Sequence, residues 1–258
     1  MSGLDLGPRL RLSLGLGLAG AVASASVLPY ALNLQGTSLA AVATGAGIEV
    51  FALLAMVFGQ GAVICLVLSW FASAWALSLG FTLPLFGPWA ECRRGRLPGF
   101  HLAVGLGTGL VAGGAVLTFS LWFTPAALIS AVPSPPGPLL GLGASFYGGI
   151  AEEIIARFFL LTALTGLLQG RAEEDGRQPL RFWMANALVA VLFALGHAPT
   201  LAAAGVQMEG AVWAYLLAGN GGVSLAFGWL YGRYGLETAM LGHFTTDLVL
   251  HVLAPVFG

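Results

Sequence analysis

Three short groups of ionisable side chains interrupt apolar stretches in the second half of the sequence. They are Glu152-Glu153-x-x-x-Arg157, Phe193-x-x-x-His197 and His243-x-x-x-Asp247. An ionisable group at the centre of a bilayer costs at least about 2.5–3.5 kcal/mol, so such groups persist where they face a cavity, pair with each other or do chemistry. Carboxyl and imidazole groups are the side chains that most often exchange protons in catalysis. The three groups therefore predict a site of proton transfer within apolar surroundings.

The spacing of the first group separates its two carboxylates. Residues four apart lie on the same face of a helix, so Glu153 and Arg157 are predicted to form an ion pair. Glu152 is rotated about 100° from Glu153, so Arg157 does not neutralise it in any obvious way. Glu153 and Arg157 are thus predicted to support the site, and Glu152 is the candidate general base.

The other two groups place a histidine one helical turn from a second side chain. The Phe193 ring is predicted to pack beside His197, and Asp247 is predicted to hold one tautomer of His243. Each group alone is equally typical of a structural contact, and we assign His251 to that structural class. The occurrence of all three groups in a chain otherwise nearly free of charge favours a functional site.

Two other functions use the same residue types. Two histidines and two glutamates could bind zinc, but no His-Glu-x-x-His pair is present, and Arg157 beside Glu153 would repel a cation. We therefore predict no metal and no cofactor. A transporter or a scaffold is the non-enzymatic alternative, because proton relays also use intramembrane Glu and His. No repeat of discontinuous helices is visible between the two halves, which counts against a transporter.

The composition indicates that lipid surrounds most of the chain. Charged residues make up 8% of the 258 residues, against roughly 25% in an ordinary globular domain, and apolar residues make up 58%. A soluble protein of this size cannot bury so much apolar surface, and a disordered chain is poor in apolar residues and rich in charge. The net charge of −1 gives no basis for nucleic-acid binding. The expected partners are the bilayer and a peptide or protein substrate.

Apolar windows long enough to cross a bilayer predict an all-α, polytopic bundle of about seven transmembrane helices. The predicted spans are Leu12–Leu32, Ile48–Phe81, His101–Phe123, Leu139–Leu168, Phe182–Ala198, Ala211–Tyr231 and Thr238–Val256. Two crossings between Ser38 and Pro84, broken at Gly59-Gln60-Gly61, would give eight instead. We treat residues 1–258 as one integral-membrane domain, with the chemical groups on residues 139–257. At 1.5 Å per residue, His197 and His243 lie at different depths, so tilted, broken or shifted helices are predicted.

The arginines orient the chain, because Lys and Arg near span ends favour the cytoplasm. With seven crossings and a cytoplasmic N-terminus, nine of the ten arginines are cytoplasmic and only Arg157 lies within a span. The first apolar run also resembles a secretory signal, but its extension to Leu32 favours an uncleaved helix. The absence of Lys favours a GC-rich bacterial genome, so we predict a multi-pass protein of the bacterial cytoplasmic membrane.

The three groups, in this order and on separate membrane helices, resemble the motifs of the CPBP family. This family comprises the CAAX prenyl endopeptidase, or Ras-converting enzyme, and its bacterial relatives, also called Abi proteins. The resemblance covers residues 146–253 and implies an intramembrane endopeptidase without a metal. Its substrates would be prenylated C-terminal tails, bacterial precursor peptides or C-terminal anchor segments of surface proteins. For a bacterial protein, prenylated substrates are the least expected.

The resemblance also assigns roles to the residues. Glu152 would activate a water with help from His197, and Glu153 and Arg157 would be a structural pair, while Phe193 supports the site beside His197. The last motif would stabilise the oxyanion of the tetrahedral intermediate. Since an ionised carboxylate cannot donate a hydrogen bond, Asp247 is either protonated or serves to orient His243. We favour the second role, which leaves His243 as the donor.

Overall fold

The computed structural model describes residues 5–132, 134, 136–168 and 179–257, and this described part is helical without any strand. Its long helices are numbered here in chain order. They are α1 (Leu6–Leu34), α2 (Val50–Trp75), α3 (Gly99–Phe123), α4 (138–167), α5 (Leu180–Ala203), α6 (Gly210–Tyr234) and α7 (Leu236–Val256). Short helices connect or end them, namely Leu39–Gly45, Leu77–Leu79, Phe86–Ala90, Ala126–Ala131 and Ala254–Phe257.

The long helices confirm the predicted all-α membrane bundle. Within the described residues, six of these helices are long and apolar enough to cross a membrane. The remaining long helix, α4, differs from them because it carries Glu152, Glu153 and Arg157. One unbroken helix, α2, passes through Gly59-Gln60-Gly61, so the stretch 38–84 contains one long helix rather than two. Most of the polar stretch Arg171–Arg181 between α4 and α5 lies outside the described residues.

Close packing of α3 against α7 sets the position of the third motif. A Cβ atom added at Gly109 would lie 2.5 Å from the Gly242 carbonyl oxygen, so glycine lets the two backbones approach. The Thr246 hydroxyl then donates a hydrogen bond to the Gly109 carbonyl oxygen at 3.1 Å. Small residues at such contacts are typical of helix association in membranes, where packing replaces the hydrophobic effect. This contact holds α7 beside α3 at the depth of His243.

A second contact fixes the start of α7. Gly235 has a φ angle of 94°, which lets the chain turn from α6 directly into α7. The Glu237 carboxylate accepts hydrogen bonds from the backbone N–H groups of Leu85 and Phe86, at 2.9 and 2.7 Å. These two N–H groups lie at the start of the short helix Phe86–Ala90, where no helical carbonyl can accept from them. The loop after α2 is thereby tied to α7.

Wide helical turns occur in the helices that carry the motifs. π-helical segments span Tyr147–Glu152 and Ile154–Leu161 in α4, Leu217–Gly221 in α6 and Leu248–Leu253 in α7. Such turns are rare and are frequently found at functional sites. The regular part of α5 ends at Gly196, and His197 lies at the junction with the short segment Ala198–Ala203. The helices therefore depart from ideal geometry beside the predicted chemical groups.

Candidate active site

A fully buried ion pair joins Glu153 and Arg157 of α4. Arg157 Nη1 lies 3.2 Å from Glu153 Oε1, and both side chains are 0% exposed. Arg157 Nη2 donates to the backbone oxygen and the hydroxyl of Ser224 in α6, at 3.2 and 2.9 Å. Its guanidinium also lies 4.7 Å from the centre of the Phe193 ring. The predicted pairing of Glu153 with Arg157 is thus present, and Arg157 connects α4 to α5 and α6.

The same carboxylate holds the first histidine of α7. His243 Nδ1 lies 2.8 Å from Glu153 Oε1, so Nδ1–H donates to this carboxylate. The imidazole stacks on the Phe227 ring, with ring centres 4.5 Å apart and planes inclined by 21°. A hydrogen bond at one nitrogen determines what the other nitrogen of an imidazole can do. Glu153 and Phe227 therefore orient His243 so that Nε2 is the nitrogen facing the rest of the site.

Two further carboxylates face His243 Nε2. Glu152 Oε2 lies at 3.7 Å and Asp247 Oδ2 at 3.6 Å from this nitrogen. The Glu152 side chain is 22% exposed, whereas that of Glu153 is 0% exposed. One predicted contact differs, since His243 donates its orienting hydrogen bond from Nδ1–H to Glu153 rather than to Asp247. The partners differ because Glu153 reaches Nδ1 from α4, while Asp247 lies one turn away on the Nε2 side.

The Phe193 ring lies between His197 and this cluster. The centre of the Phe193 ring lies 4.9 Å from the His197 ring and 5.7 Å from the His243 ring. His197 Nδ1 lies 2.8 Å from the Phe193 carbonyl oxygen, which can only accept, so the proton is on Nδ1. In the neutral imidazole this leaves the lone pair of Nε2 free to accept a proton. Phe193 thus packs beside His197 as predicted, and it also separates His197 from His243.

A glycine that the sequence analysis did not single out borders the cluster. A Cβ atom added at Gly148 would overlap the Asp247 carboxylate and lie 3.0 Å from His243 Nε2. Gly148 belongs to the π-helical segment Tyr147–Glu152, one turn before Glu152. The missing side chain keeps the α4 backbone close to the atoms that face each other across the site. Its position one turn before the Glu-Glu pair was the available signal.

Other contact residues were also missed. Ser224 and Phe227 lie in α6, which carries none of the three motifs, and no spacing rule connects them to Arg157 or His243. Tyr30 in α1 contacts His251, and His251 in turn faces Asp247. For His251 a signal did exist, because it lies four residues after Asp247 and therefore on the same helical face. For Tyr30 in the first helix there was none.

The donor set does not converge as metal ligands do. Within the described ranges, no group of three or more His, Cys, Asp or Glu side chains has the arrangement that holds a metal ion. The guanidinium of Arg157 next to Glu153 would also repel a cation bound by that carboxylate. The arrangement instead offers a partly exposed carboxylate, an imidazole that can accept a proton and an oriented imidazole that faces two carboxylates.

An apolar groove of about 700 Å³ runs between α3 and α6. Its α6 wall includes Val223 and Ala226, which adjoin Ser224 and Phe227 on the same helical turns. One side of these turns therefore lines the groove, while the other side contacts Arg157 and His243. The groove supplies apolar surface beside the polar cluster.

Comparison with known sequences agrees with the three motifs. Residues 134–249 match the sequence model of a family described as type II CAAX prenyl endopeptidase, Rce1-like. This range contains all three groups, from Glu152 to Asp247, and it confirms the resemblance drawn from them. Neither the curated proteins nor the solved structures gave a significant match.

Proposed function

Residues 134–249 form a domain of the Rce1-like type II CAAX prenyl endopeptidase family, a family of proteases, and from this premise we propose that the chain hydrolyses a peptide bond at the membrane with a water activated by Glu152. Glu152 is the general base, and His197 assists it through Nε2. His243 donates a hydrogen bond to the oxyanion, and Asp247 helps to position His243 for this donation. Glu153, Arg157 and Phe193 hold these groups in place.

In the proposed reaction, Glu152 first accepts one proton and later gives it back. Glu152 takes a proton from water, and the water oxygen bonds to the carbonyl carbon of the substrate. The carbonyl oxygen becomes an oxyanion and accepts a hydrogen bond from Nε2–H of His243, which also donates from Nδ1 to Glu153 and therefore acts as an imidazolium ion. When the C–N bond breaks, Glu152 returns the proton to the leaving amine. A fixed donor at the developing negative charge is usually the largest single contribution to such a reaction.

The observation that carries the proposal is the difference between two adjacent glutamates. Glu153 is fully buried and shared between Arg157 and His243, so it has no free role in proton transfer. Glu152 is partly exposed and its oxygen lies 3.7 Å from His243 Nε2. A general base must be reachable by the water that it activates. It must also lie close to the group that stabilises the oxyanion formed when this water attacks. Only Glu152 of the pair meets both conditions.

The apolar groove supports a substrate with an apolar attachment or an apolar segment. A peptide held by such a part in the groove between α3 and α6 would present its polar bond near α4 and α7. A lipidated tail, a precursor peptide and a C-terminal anchor segment all satisfy this condition. Cleavage rates of one peptide with and without a prenyl group would separate the first class from the other two.

The placement in the bacterial cytoplasmic membrane, with a cytoplasmic N-terminus, belongs to the same proposal. It is supported by the distribution of arginines and by the long apolar helices of the described chain. Labelling of single cysteines placed before α1 and in the loop between α2 and α3, from either side of sealed vesicles, would test the orientation. Both positions are expected to react from the cytoplasmic side.

The test uses purified protein in proteoliposomes and internally quenched peptides of the three substrate classes. We expect cleavage by the wild type in the presence of chelators, and its loss in Glu152→Gln and His197→Ala. Complete loss with chelators that only zinc restores would establish the zinc-dependent alternative instead. Unchanged processing of every peptide by both variants would reject the enzyme and leave a transporter or a scaffold. Peptides that accumulate in a deletion strain would then identify the natural substrate.

A further inference from the structure

His251 lies one turn beyond Asp247 in α7 and outside the residues that match the family. Its Nε2 atom is 4.0 Å from Asp247 Oδ1, while His243 Nε2 is 3.6 Å from Asp247 Oδ2. Each oxygen of the Asp247 carboxylate therefore faces the imidazole of a different histidine. The second of these imidazoles has no part in the proposed reaction.

The other nitrogen of His251 contacts the first helix of the chain. The Tyr30 hydroxyl lies 3.0 Å from His251 Nδ1, and the two rings meet edge to face with centres 5.3 Å apart. Helix α1 thus reaches the polar cluster through the Tyr30 side chain. Tyr30, His251 and Asp247 form a line that ends at His243.

Two glycines of α4 bring Tyr30 and His251 together. A Cβ atom at Gly141 would overlap the His251 carbonyl oxygen, and a Cβ atom at Gly143 would overlap the carbonyl oxygen of Ser26. The Ser26 hydroxyl donates to the Gly143 carbonyl oxygen at 3.0 Å. One turn of α4 therefore packs directly on α7 with one glycine and on α1 with the other. This packing sets the distance between Tyr30 and His251.

The contacts of His251 select one tautomer. An imidazole nitrogen without a proton is an acceptor, and so is an oxygen of an ionised carboxylate. If Nδ1 carried the proton, the lone pair of Nε2 would face Asp247 Oδ1 and the two would repel each other. If Tyr30 O–H donates to Nδ1, the proton is on Nε2 and points toward Asp247. The second arrangement satisfies Tyr30, His251 and Asp247 together.

We propose that Tyr30 and His251 are positioning residues, in which the Tyr30 hydroxyl holds His251 with Nε2–H facing Asp247 and so fixes the carboxylate that faces His243. The inference rests on the proposed function, because Asp247 faces Nε2, the nitrogen proposed to donate to the oxyanion, while Glu153 orients the ring through Nδ1. It assigns a role in the site to α1, outside the matched residues. Neither Tyr30 nor His251 touches the substrate in this scheme.

The kinetic test compares Tyr30→Phe, His251→Gln and the double variant in proteoliposomes. The probe is the internally quenched peptide, chosen from a prenylated tail, a precursor peptide and a C-terminal anchor segment, that the wild type cleaves fastest. Tyr30→Phe is expected to lower kcat by about 3- to 10-fold with KM unchanged, as for one lost hydrogen bond. Gln at 251 keeps an N–H donor near the place of Nε2, so His251→Gln is expected to retain most of kcat. Tyr30→Phe should then have no further effect in the His251→Gln background.

A matched control removes a hydroxyl from another pair. Tyr215 and Ser120 share a hydrogen bond of 2.7 Å between their hydroxyl groups, and neither contacts the polar cluster residues. Tyr215→Phe is expected to leave kcat unchanged. Glu152→Gln serves as the inactive reference, so that cleavage by a contaminating protease is recognised.

A second measurement does not depend on the substrate. Nitrogen and carbon NMR of isotope-labelled histidine reports the tautomer of each imidazole, and the His251 signals are those absent from His251→Gln. The wild type is expected to show the proton on Nε2 of His251, and Tyr30→Phe is expected to show a mixture of tautomers. If the wild type cleaves no peptide of the three substrate classes, the proposed function fails, and the tautomer measurement alone decides the inference.

Two results would overturn the inference. One is a Tyr30→Phe variant with the tautomer and kcat of the wild type. The other is a variant in which kcat falls together with thermal stability while the His251 tautomer is unchanged, because the pair would then only pack α1 against α7.

Discussion

Helix α7 buries one carboxylate at its start and another near its middle, and the two face different kinds of group. At the start of the helix, Glu237 accepts hydrogen bonds from two backbone N–H groups, at 2.9 and 2.7 Å. Three turns later, Asp247 faces the imidazoles of His243 and His251 at 3.6 and 4.0 Å. The first carboxylate accepts both hydrogen bonds through Oε1 from backbone groups, whereas the second faces groups that can take up or release protons.

This difference separates a structural carboxylate from a functional one. Backbone N–H groups do not change their protonation, so Glu237 can only fix the loop that contains Leu85 and Phe86. The contacts of Asp247 exceed hydrogen-bond length, and they lead to His243 and from there to Glu152 and Glu153. Burial alone therefore does not identify the site, and the chemistry of the facing groups does.

The largest effect is expected for Arg157→Met, which preserves much of the side-chain volume and removes the charge. The Glu153 carboxylate would remain buried without its cation, so the free energy of unfolding should fall by about 3–5 kcal/mol. Unfolding in detergent measures this change. Arg93→Met is the control, because Arg93 pairs with Glu91 at an exposed position and contributes little. An Arg157→Met protein as stable as the control variant would contradict the structural role of the pair.

Gly148→Ala tests the functional region without removing a polar group. The added methyl group would overlap the Asp247 carboxylate and displace it from His243. A displacement on this scale can lower the rate of cleavage by about 100-fold, while the helix itself tolerates Ala well. Gly114→Ala in α3 is the matched control, since its Cβ meets nothing within 4 Å. Equal peptidase rates in the two variants would show that the Asp247 position is irrelevant.

Glu237→Ala tests the structural end of α7. Two backbone N–H groups would lose their acceptor, so the free energy of unfolding should fall by about 1–3 kcal/mol. The rate per folded molecule should stay at the wild-type value. Asp247→Ala is the companion variant and is expected to lose cleavage with a smaller loss of stability. The comparison fails if Glu237→Ala lowers the rate as strongly as Asp247→Ala does.

The smallest effect is expected for Thr246→Val, which removes the hydrogen bond from α7 to the Gly109 carbonyl oxygen. Hydrogen bonds between membrane helices contribute about 0.6 kcal/mol on average, and stability should fall by about this amount. In Thr118→Val the lost hydrogen bond lies within α3, to Gly114, so that variant is the control. Thr246→Val should become slightly less stable than Thr118→Val. The reverse order would indicate that glycine packing alone holds α3 to α7.

The fold was largely predictable because a bilayer allows few solutions. Apolar length predicted the long helices to within a few residues at most ends, and the arginine distribution favoured the single crossing between Ser38 and Pro84 that the unbroken α2 agrees with. In lipid every backbone polar group must be bonded within the segment, so long apolar runs become helices. The π-helical turns of α4 were not predictable, since no residue pattern identifies them.

The site was predictable only where its contacts lie within one helix. Spacing of four residues predicted Glu153 with Arg157 and Phe193 with His197, and both contacts are present. The contact between His243 and Glu153 joins residues 90 positions apart, and its partner was assigned to the wrong carboxylate. Contacts between helices depend on how glycines let backbones approach, and spacing along one helix does not contain that information.

The most direct test measures cleavage and unfolding for Glu152→Gln and Glu153→Gln side by side in proteoliposomes. The two residues are neighbours in sequence, and the account gives them opposite roles. Glu152→Gln should retain wild-type stability and lose at least about 100-fold in kcat, because its carboxylate is the base. Glu153→Gln should lose stability, because Arg157 would lose its buried counterion. A Glu152→Gln protein that cleaves the probe peptides at the wild-type rate would contradict the central claim.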